Sequence, residues 1–60
     1  MKIHKKEIEG FEMEGYNDSN CDWAIRSIDH DGMKREAYYP KKVFTLKRAF
    51  ELHSDLYRDM

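Results

Sequence analysis

One cysteine, one proline and three glycines are all that this 60-residue chain holds of the residues that staple, break or loosen a fold. The lone Cys21 has no second thiol for an intramolecular disulfide, which excludes the disulfide scaffolds on which many small secreted domains rely. No apolar run approaches the roughly 20 residues of a membrane helix. The first six residues, Met1-Lys2-Ile3-His4-Lys5-Lys6, lack the apolar stretch of a signal peptide. A cytosolic chain with no membrane partner is the expectation. Apolar bulk is also scarce, since only eleven residues are Val, Ile, Leu or Phe. A large net charge would make such a chain disorder-prone, but here it is −1, and four Tyr and one Trp add bulk. A single, thinly cored domain follows, one that gains stability from a partner or a second copy.

What is present organises into strands and one helix. The stretch 2–14 alternates loosely, with Ile3, Phe11 and Met13 in one phase and Ile8 out of it. Gly10 between them suits a bulge that resets the inward face, so the stretch reads as one irregular strand or two short ones. Gly15 to Asn20 reads as a polar loop. Residues 21–28 alternate cleanly and set Trp23 and Ile25 on one face. Asp31-Gly32 is a hairpin signal, and 33–39 returns as a third strand that Pro40 ends. A two-residue turn there places Tyr38 beside Trp23 and Ile25, whereas a four-residue loop shifts the register.

The helix is predicted over 46–59, capped by Thr45 with Phe44 just outside. Leu46, Ala49, Phe50, His53, Leu56, Tyr57 and Met60 share an arc of about 120°, and Leu52 widens it to about 160°. Lys47, Arg48, Glu51, Ser54, Asp55 and Arg58 take the other side. The fold class is therefore α+β, a small three-stranded antiparallel sheet covered by one C-terminal helix in the order β-β-β-α.

The chemistry-bearing residues give little purchase for catalysis. His53, mid-arc on the helix, reads as a core or interface histidine with one hydrogen bond more readily than as a switch or ligand. His4, His30 and Cys21 lack the tight pair spacing of a zinc site. Asp18-Ser19-Asn20-Cys21-Asp22 matches the start of a calcium loop but puts Trp23 where the sharp turn needs glycine. Asp29-His30-Asp31 sits on a hairpin tip with no pocket around it. No phosphate loop or nucleophile elbow appears, so the expectation is no enzyme and no cofactor.

Charge is more informative. Six acids (Glu7, Glu9, Glu12, Glu14, Asp18, Asp22) lie between Glu7 and Ile25 with no base among them. Six bases (Lys34, Arg35, Lys41, Lys42, Lys47, Arg48) lie between Lys34 and Arg48 against only Glu36. Mutual cancellation as weak surface pairs is the plain reading. Lys47 and Arg48, however, stand at the end of the helix where the dipole disfavours cations, which fits a basic patch kept for a partner.

Val43-Phe44-Thr45-Leu46-Lys47-Arg48-Ala49-Phe50 resembles the strand-to-helix junction of integrase arm-binding and plant transcription-factor domains, which enter the DNA major groove by a three-stranded sheet. A pI near 6.3 makes DNA binding the runner-up. The Trp23-Ala24-Ile25 strand, the hairpin, Tyr38-Tyr39-Pro40 and the helix with Leu46, Ala49, Leu52 and Leu56-Tyr57-Arg58 together resemble very short phage and prophage accessory proteins. That resemblance covers 23–60. It implies a homodimeric inhibitor that occludes a host protein in the cytosol, often one of an antiviral defence system such as CRISPR or Hachiman. The residues expected at the partner surface are Tyr39, Lys41, Lys42, Lys47 and Arg48. Those expected at the dimer interface are Leu52, Leu56 and Tyr57.

Overall fold

The computed structural model describes residues 2–18, 22–28 and 31–58. The expectations that fall on Ser19, Asn20, Cys21, Asp29, His30, Asp59 and Met60 lie outside the described residues.

Four strands, not three, precede the helix: β1 (Ile3–Ile8), β2 (Phe11–Asp18), β3 (Asp22–Ile28) and β4 (Lys34–Pro40), followed by α1 (Leu46–Tyr57). They form one antiparallel sheet in the order β1-β2-β3-β4. The extra strand arises at Glu9-Gly10. Both residues have positive φ, 48° and 83°, and the turn they make lets Ile8 pair directly with Phe11. Positive φ at both central residues is the primed turn that matches strand twist, so the chain reverses where a bulge was expected. Ile8, out of phase along one continuous strand, faces the same side as Phe11 once the chain has turned.

The polar loop expected from Gly15 onward is likewise replaced by strand as far as Asp18. Gly15 lies mid-strand on the helix-facing side, opposite His4 and Ile25. A Cβ there would stand 2.8 Å from Phe50 Cζ and 2.9 Å from Ile25 Cδ1. Glycine is thus the residue that lets the Phe50 ring seat directly on the sheet.

The β3–β4 connection decides which face each tyrosine takes. Ile28 pairs with Lys34, a longer connection than the two-residue turn, and this sets Trp23 opposite Tyr39 and Ile25 opposite Ala37. A one-residue change of register turns every side chain of a strand to the other face. Tyr39, not Tyr38, therefore joins Trp23 and Ile25 under the helix.

Thr45 caps α1 as expected: its hydroxyl accepts from the Arg48 N–H at 3.2 Å. The N–H groups of Val43 and Phe44 both donate to the Pro40 carbonyl at 3.1 and 2.9 Å, folding the chain from sheet edge to helix. Phe44 then packs edge-on against Tyr39, with centroids 5.7 Å apart. The core comprises Met13, Ile25, Tyr39, Ala49 and Phe50, flanked by Ile8, Phe11, Trp23, Ala37, Phe44, Leu46 and Leu52. Ala49, Phe50, His53 and Ser54 are the buried helix residues. The buried stripe is thus turned toward Ser54, expected on the solvent side, and away from Leu56. Two small residues, Ala49 and Ser54, allow close approach of helix to sheet, and Arg58 Nη1 donates to Ser54 Oγ at 3.0 Å.

Candidate functional site

The helix covers one face of the sheet, and two arrangements on opposite faces compete for the role of functional site. Under the helix lies a buried polar hub. His53 is fully buried, with Nε2 3.0 Å from Ser27 Oγ and Nδ1 3.0 Å from the Tyr39 hydroxyl. The rings of Phe11, Tyr39 and Tyr57 surround it, Tyr57 closest at 4.7 Å. Burial disfavours the imidazolium and lowers the His53 pKa to about 4, and burial raises that of Tyr39 to about 12. Serine, imidazole and a third orienting group in series have the order of a nucleophile, base and positioning residue. Ser27 is itself buried, with its Oγ engaged by the imidazole under the helix. The hub ties α1 to β3 and β4 and satisfies three buried polar groups at once. His53 is a core histidine, with two hydrogen bonds where the sequence suggested one.

The opposite face is open: among the described residues no element covers it. Strand alternation and register arrange it in rows across the sheet. Ile3, Tyr16, Ala24 and Tyr38 pair in turn to make an apolar row, and Lys5, Glu14, Arg26 and Glu36 pair in turn to make a charged one. Glu36 fixes both tyrosines, because its Oε2 accepts from the Tyr16 hydroxyl at 3.0 Å and its Oε1 from the Tyr38 hydroxyl at 3.2 Å. The same carboxylate is the leading cause that raises both phenol pKa values. Arg26 bonds Glu14 at 2.8 Å and lies 5.5 Å from the Tyr16 ring centre. Beneath the two rings Ala24 is fully buried, although it belongs to the open face. The charged row and the row beside it, Glu7, Glu12, Ile28 and Lys34, together line an open concavity.

The residues expected to meet a partner are scattered by this fold. Tyr39 is a correction: at 5% exposure, bonded to His53, its ring belongs to the core, and the tyrosine at the surface is Tyr38, 53% exposed. Lys41 bonds the Asn17 side chain and sits 4.7 Å from the Trp23 ring centre, so its ammonium is part of the local structure. Lys42 and Lys47 are exposed, and Arg48 is exposed but paired with Glu51 at 3.2 Å. Of the residues expected at a dimer interface, Leu52 packs against the core and Leu56 is 52% exposed. Tyr57 is held between His53 and the Arg35 guanidinium, which lies 5.6 Å from its ring centre. Sequence reasoning missed Tyr16, Glu36 and Tyr38 as a unit. The alternation of Glu36 and Tyr38 along β4 was the available signal, and it needed the register to be read.

No family model matches the chain, and neither does any curated protein or solved structure. Among the described residues no group of three or more His, Cys, Asp or Glu could hold a metal ion, and no helix is long and apolar enough to cross a membrane.

Proposed function

We propose that this chain is a non-enzymatic protein-binding module that acts by occupying a surface of its partner. The observation that carries the reading is the open sheet face, where a fixed pair of tyrosines stands in a continuous row, Ile3-Tyr16-Ala24-Tyr38, on a domain whose helix covers only the other side. Tyrosines already locked in place lose little rotamer freedom on binding, and such residues dominate interface energetics. An interface of roughly 1,200–2,000 Å² in total takes about 600–1,000 Å² from each partner. That is about a seventh to a quarter of the chain's 4384 Å² of surface.

The resemblance over 23–60 supplies the class of partner: a host protein, blocked in the cytosol by a phage-derived inhibitor. Leu56, exposed on the helix, is the natural contact for a second copy, and Leu56→Glu is expected to give a monomeric mass in light scattering. The DNA-binding alternative loses ground on charge. A sheet that enters the major groove needs cations on its open face, and this one carries six carboxylates (Glu7, Glu12, Glu14, Asp18, Asp22, Glu36) against Lys5, Arg26 and Lys34.

The test is a tagged pull-down from host lysate, split into nuclease-treated and untreated halves and read by mass spectrometry. A stoichiometric protein that survives nuclease is expected. Material lost on nuclease treatment would transfer the function to nucleic-acid binding.

A further inference from the structure

We propose that the open face docks a cationic segment of the partner protein, with an arginine side chain seated on Tyr38 among the carboxylates that border the apolar row. This inference rests on the protein-binding reading and adds to it the face and the chemistry of the occupant.

Four observations converge on that occupant. The face carries twice as many carboxylates as cations, while Lys41 is engaged with Asn17 and Trp23 of the covered side and Arg48 with Glu51 of the helix. Two pairs of like charge oppose each other directly across strands, Asp18 with Asp22 and Glu7 with Glu12. Directly opposed like charges destabilise a sheet, so an incoming cation relieves a repulsion already present. The Tyr38 ring is exposed yet held in place by Glu36, and Asp18 lies near enough to add to the rise of its pKa. Finally, the chain makes the same kind of contact within itself: Arg26 packs on Tyr16, Arg35 on Tyr57 and Lys41 on Trp23.

A guanidinium suits this place better than an ammonium. It stacks flat on a phenol ring while its N–H groups reach carboxylates in the same plane, and it is more weakly hydrated. Nucleic acid is disfavoured by the same charges that favour arginine. A second copy of this chain would have to present its own basic turn to this face, an occupant that the mass in solution tests.

The test uses the full chain and a fluorescein-labelled alternating Arg–Gly decapeptide as probe, with a Glu–Gly decapeptide as its counterpart, read by anisotropy at low ionic strength. Binding of the Arg–Gly peptide is expected, with loss of at least about fivefold in affinity on Tyr38→Ala. A comparable loss is expected for the Asp18→Asn/Asp22→Asn double variant, with no change for Lys47→Ala. Raising the salt to roughly 0.5 M should abolish the difference between wild type and the Asp variant. Circular dichroism of each variant separates lost binding from lost folding. Because Tyr38 and the Asp18–Asp22 pair are probed in separate variants, one unfolded variant leaves the other to decide.

Equal binding of the Arg–Gly peptide by folded wild type and both variants would overturn the proposal. So would preference for the Glu–Gly peptide, or a concentration-dependent mass that Tyr38→Ala returns to monomer. Capture of the same host protein by wild type and by Tyr38→Ala would overturn this assignment while leaving the protein-binding reading intact. Only the loss of all capture on nuclease treatment would overturn that reading.

Discussion

The two faces of this sheet are built by different rules from the same four strands. On the covered face Gly15 leaves room for the Phe50 ring, Ser27, His53 and Tyr39 form one buried hub, and the buried Ser54 bonds separately to Arg58. On the open face most positions are charged or aromatic, and order comes from side-chain pairs: Arg26 with Glu14 on the neighbouring strand, and Glu36 with Tyr16 across the sheet and Tyr38 along its own strand. The covered face contributes stability through burial; the open face contributes little, and two of its pairs work against it. On the reading proposed above, the like charges opposed on the open face are kept for contact with a partner.

The largest break in the comparison should come from the covered face. Phe50→Ala removes the ring that sits on Gly15 and is expected to cost about 3–5 kcal/mol, comparable to the whole stability of a domain this size. Chemical denaturation should then show a largely unfolded chain in buffer. No single substitution on the open face is expected to do this.

Acid offers the next break. The His53 pKa is depressed to about 4 in the fold, whereas it is near 6.5 in the unfolded chain. Between those values the unfolded state binds more protons, so stability is fully present above pH 6.5 and falls as the pH drops toward 4. The loss is at most about 3 kcal/mol. The Tyr39 pKa is raised to about 12, which gives the mirror image: stability is lost as the pH climbs from 10 toward 12. Denaturant midpoints measured across pH should show both limbs, and His53→Gln should flatten the acid one. Survival of the acid limb in that variant would move its origin to the carboxylates.

Gly15→Ala is expected to cost about 1–3 kcal/mol, because the new methyl must displace Phe50, Ile25 and Leu46 together. The smallest effect belongs to the open face. Removing the half-exposed Arg26–Glu14 pair by Arg26→Ala should change stability by less than about 1 kcal/mol. A larger loss there would mean that the open face carries structural weight.

The sequence exposed these features unevenly. The cap at Thr45, the apolar contact of Phe44 and the body of α1 follow from local rules, and they were legible. The hairpin at Glu9-Gly10 was legible only in part, because Glu is a rare residue at positive φ: the phase slip at Ile8 and Gly10 left two short strands open but pointed equally to a bulge. The choice between Tyr38 and Tyr39 depended on the length of one loop, which composition does not determine; one residue of register exchanged a core ring for a surface ring. Gly15 looked like a turn former because nothing local reveals that an aromatic ring will need the space of a missing Cβ. The hub at His53 required three elements to be brought together before its second hydrogen bond could be seen.

Chemical-shift mapping of the ¹⁵N-labelled chain against the protein captured from lysate tests the central claim most directly. The account predicts that the largest amide shifts fall at Tyr16, Ala24, Glu36 and Tyr38 and in the strand positions beside them. Shifts concentrated instead on Leu46–Tyr57 and the turn at 41–43, with the sheet centre unmoved, would contradict it.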